Sequence, residues 1–182
     1  MIFSEDSISF SLAANPLKSE EQLSSGLWLV LVGVNEIPPH IALISNGKYY
    51  SVSARKVNCG TSLERFLGVL ERKKVSTLFI YMEIDNKNIL LHSIHEHLQP
   101  LCMDDRTCLY PIKKFFAESI SGEFEKINYV YDLLALSEKK RLLKECVSLH
   151  IEATIAKNIT LPKYTMVQIR NRIDQVSHQT AH

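Results

Sequence analysis

The sequence has almost no net charge and no long apolar run. Its 182 residues carry 21 basic and 20 acidic side chains, for a formal net charge of +1. Nucleic acids and anionic membranes select strongly basic surfaces, so this balance argues against both as partners. The longest apolar run, residues 27–34, is far shorter than the about 20 residues that span a bilayer. We therefore expect no nucleic-acid partner and no transmembrane segment.

Cysteines are few and widely spaced. The four are Cys59, Cys102, Cys108 and Cys146, and none belongs to the CxxC pair that is typical of zinc ribbons. A disulfide framework is equally unsupported. Residues 1–16 include acidic side chains and alternate apolar residues with serines, which is unlike a secretory leader. These features predict a reduced protein in the cytoplasm.

The first half of the chain has the patterns of β-strands. Residues 27–34 form a short run rich in valine and leucine, which favours a strand buried on both faces. Two further apolar runs, 40–45 and 48–54, are separated by Asn46-Gly47, the strongest short-range signal for a hairpin. The other predicted strands are 8–12 and 75–84.

The second half has helical spacing. A capping box at residues 61–64 begins one helix after the hairpin, and a second box at 165–168 begins the last helix. Between them we predict helices at 89–98, 111–120, 127–136 and 138–150. The change from strands to helices predicts the α+β class with an antiparallel sheet. We expect one domain over residues 1–122 and a helical extension over 123–182 that packs on it.

A histidine-rich stretch is the one candidate metal site. On a helix, His92 shares a face with His95 and Glu96. The spacing fits neither HExxH nor HxxEH, the two arrangements that place zinc ligands and a general base together. We therefore interpret the stretch as a solvated helix face and expect no metal and no cofactor.

Cys108 and His40 are the candidates for catalysis. Cys108 lies just before the predicted helix at 111–120, where backbone amides and the helix dipole stabilise a thiolate. This position predicts a thiol pKa below the ordinary value of about 8.5. His40 begins a strand directly after two prolines. A nucleophilic thiol requires an adjacent base, and a strand end packed against a helix start can bring the two together.

These residues resemble those of a known family. Residues 40–51, HIALISNGKYYS, are similar to the HxALYxGxGxV segment of circularly permuted NlpC-type papain-like hydrolases, the group that includes lecithin retinol acyltransferase. In that family a histidine begins a strand and a glycine turn follows. A further strand, a helix and another strand precede a cysteine that opens a helix. Residues 24–120 have the same order.

The resemblance implies a papain-like domain with Cys108 as nucleophile and His40 as base. Ser51 or Ser53 would orient the imidazole, and the Cys108 amide with Tyr49 or Tyr50 would hold the oxyanion. The substrate would be an amide or ester acyl group of a small molecule, peptide or lipid. The alternative is a catalytically inactive α+β protein that binds a protein partner through its C-terminal helices.

Overall fold

The structure, a computed structural model, describes residues 7–10, 13–53, 56–84, 107–152 and 159–178. The strands are β1 (Ser7–Phe10), β2 (Asn15–Pro16), β3 (Leu27–Val32), β4 (His40–Ser45), β5 (Lys48–Val52), β6 (Val57–Ser62), β7 (Thr77–Met82), β8 (Leu143–Leu149) and β9 (Ile159–Pro162). The helices are α1 (Leu63–Lys73), α2 (Leu109–Ser119), α3 (Val130–Lys139) and α4 (Met166–His178), with 3₁₀ turns at Glu20–Leu23 and Gly122–Lys126. The α+β class is confirmed. No helix in these ranges combines the length and apolarity needed to cross a membrane.

The strands form two sheets within the described ranges. Seven strands pair in the order β2-β8-β7-β3-β4-β5-β6, and β1 pairs with β9 in a separate ribbon. The predicted antiparallel arrangement is correct for most of the large sheet. It is wrong at one edge, where β2 runs parallel to β8. The sheet is therefore mixed, with its parallel pair far from the hairpin that carries His40.

The predicted hairpin is confirmed. Strands β4 and β5 pair antiparallel, and Ser45 lies opposite Lys48 across the turn. Asn46 and Gly47 have φ values of 46° and 70°. A two-residue turn of this hand matches the twist of the strands, and asparagine and glycine adopt positive φ at the least cost.

Each face of the large sheet is covered by a different helix. We call the side packed under α2 the α2 face; Leu29, Leu31 and Leu43 lie there with Phe116. The opposite side is the α1 face, where Trp28, Val30, Ala42 and Ile44 pack with Phe66 and Leu70 of α1. Successive residues of a strand point to opposite faces. Both faces of β3 are buried, which explains why its sequence is continuously apolar.

The helix predicted at residues 138–150 is wrong. Helix α3 ends at Lys139, and Arg141 has a positive φ of 59° that cannot continue a helix. Strand β8 follows and enters the sheet between β2 and β7. Its residues Cys146 and Val147 are buried on opposite faces, and periodicity does not distinguish so short an apolar run from a helix. Residues 123–182 thus supply a strand to the sheet as well as helices.

Other predicted elements have mixed outcomes. Helix α2 confirms the prediction at 111–120, and the second capping box is present because Thr165 N–H donates to Gln168 Oε1 at 2.8 Å. The first helix is capped by Ser62, which accepts the Arg65 N–H at 3.4 Å, one residue later than predicted. The helix predicted at 89–98 lies outside the described residues.

Two glycines give a matched test of backbone conformation. Gly26 has a φ of +76°, and a Cβ there would lie 2.5 Å from Tyr81 Cε2. A Cβ on Gly68, in the middle of α1, would meet no atom within 4 Å. We expect Gly26→Ala to lower the free energy of unfolding by about 1–2 kcal/mol, and Gly68→Ala to raise it by about 0.5–1 kcal/mol. Urea denaturation measures both; a neutral Gly26→Ala would contradict this description of the turn.

Candidate functional site

Cys108 lies at the N-terminus of α2, as predicted. It is the N-cap residue of this helix, with φ −56° and ψ −21°. Three backbone N–H groups, of Cys108 itself, of Leu109 and of Ile41, lie close enough to its sulfur to favour the thiolate. The first two belong to the helix start, where N–H groups have no partner within the helix. The third belongs to β4, at the residue that follows His40.

The thiol reaches β4 because β4 and β5 separate. The two strands pair only from Leu43 opposite Tyr50 to Ser45 opposite Lys48, although β4 begins at His40 and β5 continues to Val52. The beginning of β4 therefore lacks a β5 partner, and the Ile41 N–H lies near the Cys108 sulfur instead. The helix start fills the gap between the strands.

A small cavity lies beside the thiol in this gap. Its volume is about 10 Å³, about the least that can hold one water molecule. Its lining is Leu43, Tyr50, Ser51, Val52, Cys108, Pro111 and Ile112. None of these side chains carries a charge, and most are apolar. The space next to the sulfur is therefore narrow and largely hydrophobic.

The predicted lowering of the Cys108 pKa is wrong. Burial raises the pKa of this thiol above its ordinary value, and the three backbone N–H groups offset only part of that effect. The charged thiolate loses more by leaving water than it gains from the helix terminus. The thiol is protonated at neutral pH. Burial likewise raises the pKa values of Cys59 and of Cys146, the latter to about 12. Cys102 lies outside the described residues.

The backbone next to His40 lies near Cys108 in space, but no contact joins the two side chains in the described part of the chain. Val32, the cross-strand partner of His40, packs on the α1 face, and strand alternation assigns His40 to that face with Ala42. Cys108 packs against the α2 face. Among the described residues no hydrogen bond links the imidazole to the thiol. Burial lowers the pKa of His40 to about 4, so the imidazole is neutral.

This low pKa has a consequence for stability. A buried histidine binds protons more weakly than the unfolded chain, whose histidine pKa is about 6.5, so stability falls as the pH drops from about 6.5 towards 4. Because the His40 side chain keeps some contact with solvent, the effect is smaller than the full pKa shift implies. We expect the free energy of unfolding to fall by about 2 kcal/mol between about pH 7 and 4.5. Urea denaturation at both pH values should show that loss in the wild type but not in His40→Gln. An equal loss in the variant would contradict the assignment.

The predicted orienting serines contact other groups. The Ser51 hydroxyl accepts a hydrogen bond from Asn58 Nδ2 at 2.9 Å. The Ser53 hydroxyl is 3.1 Å from the Lys56 carbonyl oxygen, in the turn between β5 and β6. Neither serine is hydrogen-bonded to His40 in the part of the chain that the structure describes. Their orienting role stays a prediction, as does catalysis by Cys108 and His40.

The two predicted oxyanion tyrosines lie on opposite faces. The Tyr49 ring stacks on Phe66, with centroids 3.8 Å apart. Burial raises the pKa of Tyr49 to about 12; a hydrogen bond with Ser51 lowers it, and a thiolate at Cys108 raises it further. The Tyr50 ring lines the cavity, and burial raises its pKa too. Both phenols are therefore protonated and able to donate at neutral pH.

Tyr164 is a neighbour of the site that the sequence did not reveal. It is buried, and its hydroxyl accepts the N–H of Val130 at the start of α3, at 3.1 Å. Burial raises the pKa of Tyr164, the Val130 bond lowers it, and a thiolate at Cys108 raises it further. No motif surrounds Tyr164 in the sequence, so only the folded chain reveals its place near Cys108.

The histidine-rich stretch, with His92, His95 and Glu96, lies outside the described residues. Comparisons with known proteins add no assignment: the chain matches no protein-family profile, no curated protein and no solved structure.

Proposed function

We propose that the protein is a cysteine-dependent hydrolase or acyltransferase, with Cys108 as nucleophile and His40 as base. One observation carries the proposal: Cys108 lies at a helix start and packs against the α2 face, with its sulfur close to the N–H of Ile41, the residue after His40. Helix start and histidine strand are therefore in direct contact, although Cys108 and His40 are 68 residues apart (108 − 40). Catalysis further requires the two side chains to come within hydrogen-bond reach of each other.

The order of elements supports a permuted papain-like core. His40 begins β4, and the turn, β5, β6, α1 and β7 precede Cys108 at the start of α2. Apart from the additional strand β6, this is the order of elements in the papain-like hydrolases that residues 40–51 resemble. The mixed sheet and strand β8 have no counterpart in that resemblance, so the proposal concerns the core from β3 to α2.

The reaction would begin from a neutral thiol and a neutral imidazole. As the Cys108 sulfur bonds to the substrate carbonyl carbon, its proton passes to His40; the ester or amide bond then breaks, and the leaving group takes that proton. Water next attacks the thioester, releases the acid and returns a proton through His40 to the sulfur. The N–H groups of Cys108 and Leu109 lower the pKa of the thiol and are therefore suited to stabilise negative charge at the sulfur.

The imidazole must approach the thiol for this transfer. Catalytic hydrogen bonds are often long without substrate and shorten when it binds. His40 lies on the α1 face and Cys108 on the α2 face, so the backbone at the start of β4 must turn for the imidazole to reach the thiol. Of the two predicted oxyanion tyrosines, Tyr50 is the better placed, because its protonated phenol lines the cavity with Cys108, whereas Tyr49 stacks on Phe66 on the α1 face.

A second candidate function is supported by a different observation. Burial keeps both the Cys108 thiol and the His40 imidazole uncharged, which also describes an inert core position. In that case the protein is a catalytically inactive α+β protein, and it would bind a protein partner through its C-terminal helices. The two candidates differ in whether Cys108 forms a covalent intermediate.

Trapping that intermediate tests the proposal. We expect that brief exposure to p-nitrophenyl acetate, followed by acid quench and peptide mapping, places one acetyl group on the peptide that contains Cys108. Cys59, which is exposed, is the control, since Cys59→Ala should retain the acetylation. Acetyl groups found only on Cys59 or on lysines would favour the inactive protein.

A further inference from the structure

We propose that the site accepts only small, uncharged acyl groups, of about the size of acetyl, and rejects longer chains. This inference rests on the proposed function and specifies its substrate class. It is carried by the cavity beside the Cys108 sulfur, since an acyl group bonded to that sulfur must occupy the adjoining space.

The volume of the cavity limits the length of the acyl group. About 10 Å³ is open next to the sulfur, close to the space that one water molecule needs. A methyl group fits such a space with small adjustments, whereas each further methylene must displace side chains that are already closely packed. Val52 and Ile112, which line the cavity, are 4% exposed, and both are enclosed in the α2-face core.

The chemistry of the lining limits the charge of the acyl group. Leu43, Val52 and Ile112 present only hydrocarbon. The polar groups in the lining are the thiol, the Tyr50 phenol and the Ser51 hydroxyl. The Ser51 hydroxyl already accepts a hydrogen bond from Asn58. A charged substituent would lose its hydration here without gaining a partner. Peptides with charged side chains next to the scissile bond are therefore excluded.

Two pairs of reagents measure the size limit. The first pair is p-nitrophenyl acetate and p-nitrophenyl hexanoate, which report acylation. The second is methyl and hexyl methanethiosulfonate, which attach methylthio or hexylthio groups: the thiolate attacks the sulfenyl sulfur, an S–S bond forms and methanesulfinate leaves. The second pair requires no catalysis, so it reports the space beside the sulfur independently of the reaction. Peptide mapping follows Cys108, with exposed Cys59 as the internal control.

We expect each small reagent to modify Cys108 at least about 10-fold faster than its hexyl or hexanoyl partner, with a ratio near one at Cys59. Ile112→Val and Val52→Ala should raise the hexanoate rate relative to acetate, because each removes hydrocarbon from the lining. Ile44→Val makes the same truncation as Ile112→Val on the α1 face and should leave the ratio unchanged.

The outcomes separate this inference from the proposed function. Equal rates for the small and large members of both pairs at Cys108 would overturn the size limit while leaving an acylated Cys108 in place. If neither ester acylates Cys108, the proposed function is overturned and the inference with it. This holds even if methyl and hexyl methanethiosulfonate still react with Cys108 at different rates. A hexanoate rate unchanged by both enlarging variants would show that these side chains do not set the limit.

Discussion

Replacing Cys108 with alanine is expected to reduce hydrolysis of p-nitrophenyl acetate by at least about 10³-fold, to the background rate. The reason is that the sulfur forms the bond to the acyl carbon, and no other described group is placed to replace it. Initial rates at saturating substrate, followed by release of p-nitrophenol, measure the effect.

Two controls accompany this variant. Cys59→Ala should keep the wild-type rate, because Cys59 is an exposed residue of β6 on the far side of β5. Circular dichroism and a urea titration establish that Cys108→Ala is folded. A folded Cys108→Ala protein with the wild-type rate would exclude Cys108 as the nucleophile and leave the binding protein as the better account.

The largest effect on stability is expected at Phe116. Its side chain is fully buried under the sheet, and its ring lies 5.3 Å from that of Phe124 and 5.4 Å from that of Phe115. Phe116→Ala should lower the free energy of unfolding by about 3–5 kcal/mol, since it removes a large apolar surface and leaves a cavity.

An exposed residue provides the comparison for Phe116. Ile37 is 45% exposed, and Ile37→Ala should change stability by less than about 0.5 kcal/mol. Urea denaturation of both variants measures the difference. A loss at Phe116 no greater than that at Ile37 would mean that α2 does not pack on the sheet as described, and the position of Cys108 would then be in doubt as well.

Local signals in the sequence predicted the part of the fold that carries His40. Asn46 and Gly47 favour one turn conformation through their own backbones, so the hairpin needed no knowledge of distant contacts. The helix start after Cys108 was likewise predicted from Pro111 and the apolar spacing that follows it. These features depend on residues a few positions apart.

The incorrect predictions depended on distant contacts. Residues 143–149 form a strand because they pair with β7 and β2, and nothing within the segment reveals those partners. The pKa of Cys108 was predicted without knowledge of how deeply the thiol is enclosed. Enclosure in the α2-face core produces the opposite shift, because burial penalises the charged thiolate more than the nearby N–H groups favour it.

Tyr164 and the β4–β5 gap illustrate the same limit. The gap arises where β4 and β5 stop pairing after Leu43 and Tyr50, and the hairpin signal specifies the turn but not the length of the ladder. Tyr164 reaches Val130 from 34 residues away. The residues around the thiol therefore include groups that only the tertiary structure brings there.

The pH dependence of kcat/KM for p-nitrophenyl acetate tests most directly whether His40 acts as the base for Cys108. Such a profile reports the pKa of the essential base in the free enzyme. With the pKa of His40 lowered to about 4, we predict that kcat/KM rises through about pH 4 to a plateau that continues beyond neutrality. His40→Ala should lose this plateau and react only as the pH approaches the raised pKa of the thiol. Identical profiles in the two proteins, each rising only above about pH 9 as for an unassisted thiol, would contradict the account.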